Sequence, residues 1–424
     1  MIRTLQLSAL AIVIGLSGPA SAQEAADAVA PETELGDLPA AFVGLSDAAK
    51  SALSDKAAGQ PVMAQTWMVA AANPLAVESG AKVLAAGGSA ADAMIAVQAM
   101  LGLVEPQSSG IGGGAFLVWY DAATGDVTTL DGRETAPLAA TPRLFQTADG
   151  EPMGFWDAVI GGRSVGTPGT PALLEAAHQR WGELEWPGLF DDAISLAEAG
   201  FTVSPRLAGL VSDGEERLRR FSATEAYFFP GGVPVKAGDT LVNRPYAETL
   251  RRIAEEGASA IYTGRIAQDI VSTVRGAEGN PGVLSETDLA IYRVVERPAV
   301  CAVYRAHEVC GMGPPSSGAL TVGQILGILD NVEMPAHDDA EAWRLIGDAS
   351  RLAFADRGRY MADSDFVPVP VKGLVDPAYL RERSALLAGD DALPEVAPGR
   401  PSFDHALIWA DDASIEFPST SHIS

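Results

Sequence analysis

Apolar positions mark the first divisions of this chain. Leu5 to Leu16 is an apolar stretch behind Arg3, and the small residues Ala20-Ser21-Ala22 follow it. That succession predicts a secretory signal over residues 1–22, cut before Gln23. The run is too short to span a bilayer, and no later run reaches that length. Residues 23–64 are rich in Ala, Asp, Glu and Pro and predict a flexible lead-in, with order beginning near Met68. Asn73-Pro74 then offers an N-cap with proline in the first turn. Val77, Val83 and Leu84 carry that helix until Gly87-Gly88 stops it. Ser89-Ala90-Ala91-Asp92 is a capping box that opens a second helix running to about Val104. Between Asp92 and Val104 only Gln98 is polar, so this helix is expected to be buried on nearly all sides, in a middle layer.

Ala115 to Tyr120 is a compact apolar run of strand length. Asp121 to Gly125 turns the chain and Val127 to Leu130 returns it, which predicts a hairpin. Helices are expected over Pro171–Trp181, Asp191–Gly200, Leu320–Leu329 and Ala340–Tyr360, and residues 387–418 are loop-rich. No period repeats along the chain. The pattern is mixed α/β.

Composition narrows the function. The 424 residues carry 29 basic and 55 acidic side chains, a net charge of −26. Such a chain repels a phosphate backbone, which argues against nucleic-acid binding. Two cysteines cannot build a four-thiolate zinc site or an iron–sulfur cluster. Cys301 and Cys310 flank two β-prone runs around a tight turn. With Arg305-Ala306 as the turn residues, Tyr304 pairs with His307 and Cys301 falls opposite Cys310, at a non-hydrogen-bonded position. In an oxidising compartment that favours a disulfide; two buried free thiols are the alternative.

The chemical motifs are mostly negative. Gly110 to Ala115 matches G-x-G-x-x-A, but it follows a helix and precedes a strand, the reverse of a dinucleotide site. It is a turn for close packing or a floor of N–H groups under a substrate. The five histidines show no metal-ligand spacing, and there is no G-x-S-x-G, G-x-x-x-x-G-K-[ST] or S-x-x-K. Arg133, in Asp131-Gly132-Arg133-Glu134, is able to grip a carboxylate with two parallel hydrogen bonds, or to pair with Glu134 or Asp131. Pro314-Pro315-Ser316-Ser317-Gly318 is a helix start. The last residues, Phe417 to Ser424, have the character of an opening strand.

Taken in order, these segments resemble the gamma-glutamyltranspeptidase family. The matching stretches are Ala76–Gly80, Gly87–Ala93, Glu105–Gly114, Asp131–Pro137, Gly166–Gly169, Glu198–Phe201, Pro314–Gly318 and Ala355–Arg357. The resemblance implies an N-terminal-nucleophile hydrolase, an αββα four-layer sandwich made incomplete by a missing small subunit. It divides the chain into a large subunit over 65–419 and the start of a small one at 420–424. The family's T-T-H-aromatic-S strand is similar to Thr420-Ser421-His422-Ile423-Ser424, with Ser421 and Ile423 departing from it. By that likeness the precursor cuts itself between Ser419 and Thr420. Thr420 then acts as nucleophile with its own α-amine as base.

Arg133 matches the family arginine that binds the α-carboxylate of the γ-glutamyl group. The implied donors are glutathione and γ-glutamyl amides, the acceptors amino acids, peptides or water, and neither cofactor nor metal is needed. The partner is the chain's own small subunit. Without the oxyanion hole that subunit supplies, these 424 residues alone are expected to be inactive. The export signal implies a secreted, periplasmic protein with no membrane or nucleic-acid partner. Two other functions stay open: a glutaryl-cephalosporin acylase of the same fold, and an exported solute-binding protein with Arg133 as a carboxylate clamp.

Overall fold

The computed structural model describes residues 45–403 and 421–424. The proposed signal segment, Ser419 and Thr420 lie outside them. Helix α1 (Asp47–Ala57) falls inside the stretch expected to be a flexible lead-in, a correction to that expectation. It buries none of its residues, so no apolar stripe announces it. The Ser46 side chain caps it by accepting from Ala49 N–H, and Ser46 itself donates twice to Glu78.

Helices α2 (Pro74–Ala85) and α3 (Ala90–Val104) form as their caps predict. Asn73 Oδ1 accepts from Leu75 N–H, and the Ser89/Asp92 capping box is made in both directions. Twelve of the fifteen residues of α3 are buried. Asp92 does more than cap: its Oδ2 also accepts from Glu183 and Leu184 N–H, tying the start of α3 to a distant turn.

Strands β1 (Ala115–Asp121) and β2 (Asp126–Gly132) make the expected hairpin, in register from Ala115↔Gly132 to Asp121↔Asp126. Helix α4 (Thr170–Trp181) covers one face of it, where Leu117, Leu130, Leu173 and Ala177 form a small core and Trp119 stacks on Trp181 at 4.5 Å. Helices α5 (Asp191–Ala199), α6 (Pro205–Asp213) and α7 (Arg244–Glu256) pack their buried residues around α3 in the main core. Strands β3 (Phe201–Thr202) and β4 (Thr240–Leu241) pair beside α5, and α8 (Gly264–Arg275) follows α7. Strand β5 (Val295–Arg297) joins β2 antiparallel, so the order is β1-β2-β5.

Strands β6 (Val300–Tyr304) and β7 (His307–Gly311) make a separate hairpin. Tyr304 faces His307 and Cys301 faces Cys310, as counted from the sequence, and the two cysteines form a disulfide. Arg305 takes the first turn position with φ of 53°. This hairpin lies on α9 (Gly318–Leu329), which packs with α10 (Ala340–Tyr360) and α11 (Pro377–Ser384) around Ile328, Leu345, Leu352 and Leu380. Of the described residues, 48% are helical and 10% are in strands.

Candidate active site

Three glycine-bearing segments meet at the end of β2. The turn before β1 supplies Gly113, whose C=O accepts from Gly169 N–H at 2.9 Å and Thr170 N–H at 3.0 Å, the first donors of α4. A Cβ on Gly114 would lie 2.6 Å from Glu134 Oε2 and 2.7 Å from Glu134 N. One on Gly169 would lie 1.9 Å from Gly132 O. These glycines are therefore required by close backbone approach. Of the two readings of the Gly110–Gly114 turn, packing describes Gly114. Thr135 and Thr167 bridge the same segments, with Thr167 N–H donating to Thr135 O at 2.9 Å.

This packing delivers Arg133 to the end of the strand with its side chain exposed. Its guanidinium lies 5.9 Å from the Phe116 ring centroid and makes no ion pair or hydrogen bond among the described residues. Neither structural partner expected from spacing is taken. Asp131 is occupied elsewhere: Oδ1 accepts from the Arg133 N–H at 2.9 Å, and Oδ2 accepts from Arg297 Nε at 2.8 Å. Arg297 also donates from both terminal nitrogens to Asp365, at 2.9 and 2.6 Å. That fork raises the Arg297 pKa and holds the Asp365 carboxyl below its ordinary 3.8. On the other side of Arg133, its C=O accepts from the Tyr292 hydroxyl at 2.8 Å. Burial, with the charges of Asp131 and Glu134 and the neighbouring Tyr262, pushes the Tyr292 pKa upward and keeps it a neutral donor.

Residues 421–424 lie against the main core, half-buried at Ser421 and Ile423 and exposed at His422 and Ser424. Ser424 N–H donates to Ala70 O at 2.9 Å, and Ala70 N–H donates back to Ser424 O at 2.5 Å. Ile423 packs into the cluster that holds α3, and His422 Nε2 lies 2.6 Å from Ser424 Oγ. The chain thus runs beside residue 70 at Ser424. A surface cleft lined by Met153, Asp157, Arg220 and Glu278 includes none of these residues. Cys301, Glu308 and Cys310 are the one cluster of metal-type donors among the described residues, and its two sulfurs are joined to each other.

The sequence profile of the gamma-glutamyltranspeptidase family matches residues 76–424. The chain belongs to that family. Among curated proteins it is 39% identical over 336 residues to a glutathione hydrolase proenzyme of Bacillus subtilis strain 168, covering 79% of this chain and 57% of that protein. It is 35% identical over 363 residues to an acylase ACY 1 proenzyme of Pseudomonas sp. strain V22, covering 84% and 64%. Among solved structures, Helicobacter pylori gamma-glutamyltranspeptidase superposes with a TM-score of 0.76 at 35% identity, over 80% of this chain and 97% of that one. The chain therefore spans less than two thirds of the length of these curated relatives. The fold is that of gamma-glutamyltranspeptidases and related N-terminal-nucleophile hydrolases.

Within the family's motifs the structure separates supports from site. Glu105 is buried and accepts from Asn73 Nδ2 and Arg206 Nη1, both at 3.0 Å, and from Gln107. Ser108 and Ser109 accept from Arg206 and Gln98. This cluster braces the turn that carries the glycines. Asp356 accepts from Gln324, Tyr379 and Gly399 N–H, with Arg383 at 3.3 Å, and Arg357 Nε donates to Ser317 Oγ at 3.1 Å. The Pro314–Gly318 and Ala355–Arg357 motifs therefore meet. Sequence reasoning missed Tyr292, Arg297 and Asp365. They reach Arg133 or Asp131 from about 160 residues away or through one another, and no local pattern marks them.

Proposed function

We infer that this chain is the larger part of a γ-glutamyl hydrolase and transferase acting on glutathione and γ-glutamyl amides. The observation that carries this reading is Arg133, an exposed guanidinium with no hydrogen-bond or ion-pair partner among the described residues, beside an Asp131 whose two oxygens are both engaged. A substrate α-carboxylate would take two parallel hydrogen bonds from it. Self-cleavage between Ser419 and Thr420 would expose the Thr420 α-amine. That amine accepts the hydroxyl proton as Oγ attacks the γ-carbonyl carbon. The leaving amine departs with a proton and a γ-glutamyl ester remains on Thr420. Water then adds to the ester, releasing glutamate and restoring the hydroxyl, or an acceptor amine adds and leaves as a new γ-glutamyl amide. The chemistry calls for no metal or cofactor.

A second subunit is part of this reading. The curated relatives are proenzymes of which the chain spans 57% and 64%, whereas the solved Helicobacter pylori chain is matched over 97% of its length, which supports maturation into two polypeptides. Helix α10 supports it too. Trp343, Ile346, Gly347 and Phe354 lie exposed on one face, Trp343 67% and Phe354 55% exposed, with the Arg357 guanidinium 5.8 Å from the Phe354 ring, in a chain of charge −26. The occupant proposed for that face is the small subunit. Export to the periplasm rests on the signal-like residues 1–22 and on the disulfide. No helix among the described residues is long and apolar enough to cross a membrane.

The test uses the full-length precursor. Wild type should resolve into two bands on a denaturing gel and Thr420→Ala should stay as one; cleavage of the variant at the same bond removes Thr420 from the role. Arg133→Gln should cleave normally and raise KM for γ-glutamyl-p-nitroanilide about tenfold or more, the loss of a charge-assisted pair. A glutaryl amidase is the second reading, favoured by the 35% identity to the acylase proenzyme. Faster hydrolysis of glutaryl-p-nitroanilide than of the γ-glutamyl compound would select it.

A further inference from the structure

The Arg133 site contains its own competitor for the guanidinium. Asp131 lies two residues before Arg133 on an extended chain, and side chains at that spacing leave the same face. Phe116 confirms the shared face: it stands directly opposite Asp131 in the β1–β2 register, and the Arg133 guanidinium lies 5.9 Å from its ring. An unoccupied Asp131 carboxylate would be an internal mimic of the carboxylate that Arg133 is inferred to bind.

Both of its oxygens are spoken for. Oδ1 is held by the Arg133 main-chain N–H and Oδ2 by Arg297 Nε. Arg297 is in turn locked by the two-pronged contact with Asp365, and its side chain is only 14% exposed. Tyr292 completes the arrangement by holding the Arg133 C=O. Its ring stacks parallel to Tyr262 at 5.6 Å, and the Tyr262 hydroxyl donates to Pro168 O at 2.8 Å. The Arg133 main chain is therefore fixed on both sides while its side chain is left unengaged.

We propose that Arg297 is a positioning residue whose task is to sequester Asp131, so that the Arg133 guanidinium stays open to the substrate's carboxylate. The proposal rests on the reading of Arg133 given above. Arg297 does not touch substrate in it; it acts by occupying the decoy carboxylate. Asp365 anchors Arg297 and contributes in proportion.

The decisive experiment is a double-substitution series in the full-length, self-cleaved protein, assayed with two donors. One is γ-glutamyl-p-nitroanilide; the other is the same compound with its α-carboxylate replaced by a carboxamide. Arg297→Gln releases Asp131 and should raise KM for the carboxylate donor about five- to tenfold, with kcat and the carboxamide donor little changed. Asp131→Asn keeps an oxygen for the Arg133 N–H but carries no charge, and should leave KM within about twofold of wild type. Combined, Asp131→Asn/Arg297→Gln should recover most of the lost affinity.

A purely structural ion pair predicts the opposite: the Asp131→Asn variant as harmful as Arg297→Gln, and no rescue in the double variant. That outcome overturns the proposal. Asp365→Asn, at a half-exposed position, covers the case in which Arg297→Gln does not fold. It should raise KM for the carboxylate donor two- to threefold or so, again reversed by Asp131→Asn, and an unreversed or absent rise counts against the proposal. Arg133→Gln separates the two levels of inference. If it raises KM equally for both donors or for neither, the reading of Arg133 itself is wrong; if its rise is confined to the carboxylate donor and the Arg297 series shows none, only the sequestration is.

Discussion

Asp356 has no exposed surface, yet its two oxygens meet four donors: Gln324, Tyr379, Gly399 N–H and Arg383. A carboxylate so placed is stable only because every partner is present. Removing it strands the buried Arg383, and Asp356→Ala should destabilise the chain by about 3–5 kcal/mol in urea titration. Asp365 behaves differently because it is half-exposed. Its folded pKa is depressed by the Arg297 fork, so its contribution is fully present above the ordinary value of 3.8 and is lost as pH falls through the lower folded value. Asp365→Asn should therefore be less stable than wild type at neutral pH, with the gap closing below pH 3.8. Urea midpoints measured across that range check the sign.

At the scale of elements, local chemistry is faithfully expressed where an apolar pattern accompanies it. The hairpin β6–β7 follows from two β-prone runs and a two-residue turn, and its register puts the cysteines opposite each other. The bond closes a loop of about ten residues, so Cys301→Ser/Cys310→Ser should lower stability by about 2–3 kcal/mol. Adding a reductant to wild type should produce the same shift in the urea midpoint, and a shift in only one of the two would show that the bond does not form. Helices α2 and α3 were legible for the same kind of reason, since Asn73, Pro74, Ser89 and Asp92 act within a few residues of themselves. Helix α1 was not legible: it has a Ser46 cap but no buried face, and its tether to the rest is Glu78, 32 residues away.

Across the whole molecule, α4 covers one face of the sheet β1-β2-β5, and Val118 and Tyr120 of β1 are exposed on the other. With the exposed Trp343, Ile346 and Phe354 of α10, this leaves apolar surface on a chain that carries a large negative charge. Placing a charge in the α10 face tests what it is for. Trp343→Glu and Phe354→Glu should leave the melting temperature of the 424-residue chain unchanged, because these side chains are exposed in it. In the full-length protein the same changes should reduce recovery of the small subunit with the large one on an affinity column. Undiminished recovery would assign the face to something else.

Short-range determinants belonged to the sequence alone. Caps, turns, the apolar run of β1 and the cross-strand cysteines all act within a dozen residues, where the backbone geometry is known in advance, and each of the family's motifs is a short run of its own. The open Arg133 guanidinium did not belong to it. Spacing offered Asp131 and Glu134 as partners, and only the pairing of β5 with β2 brings Arg297 to Asp131 across 166 residues. The contacts of Tyr292 and Asp365 likewise depend on how the chain crosses itself. Charge on a strand is visible in one dimension, but which charges neutralise one another is decided by the fold, because ion pairing depends on distance in space.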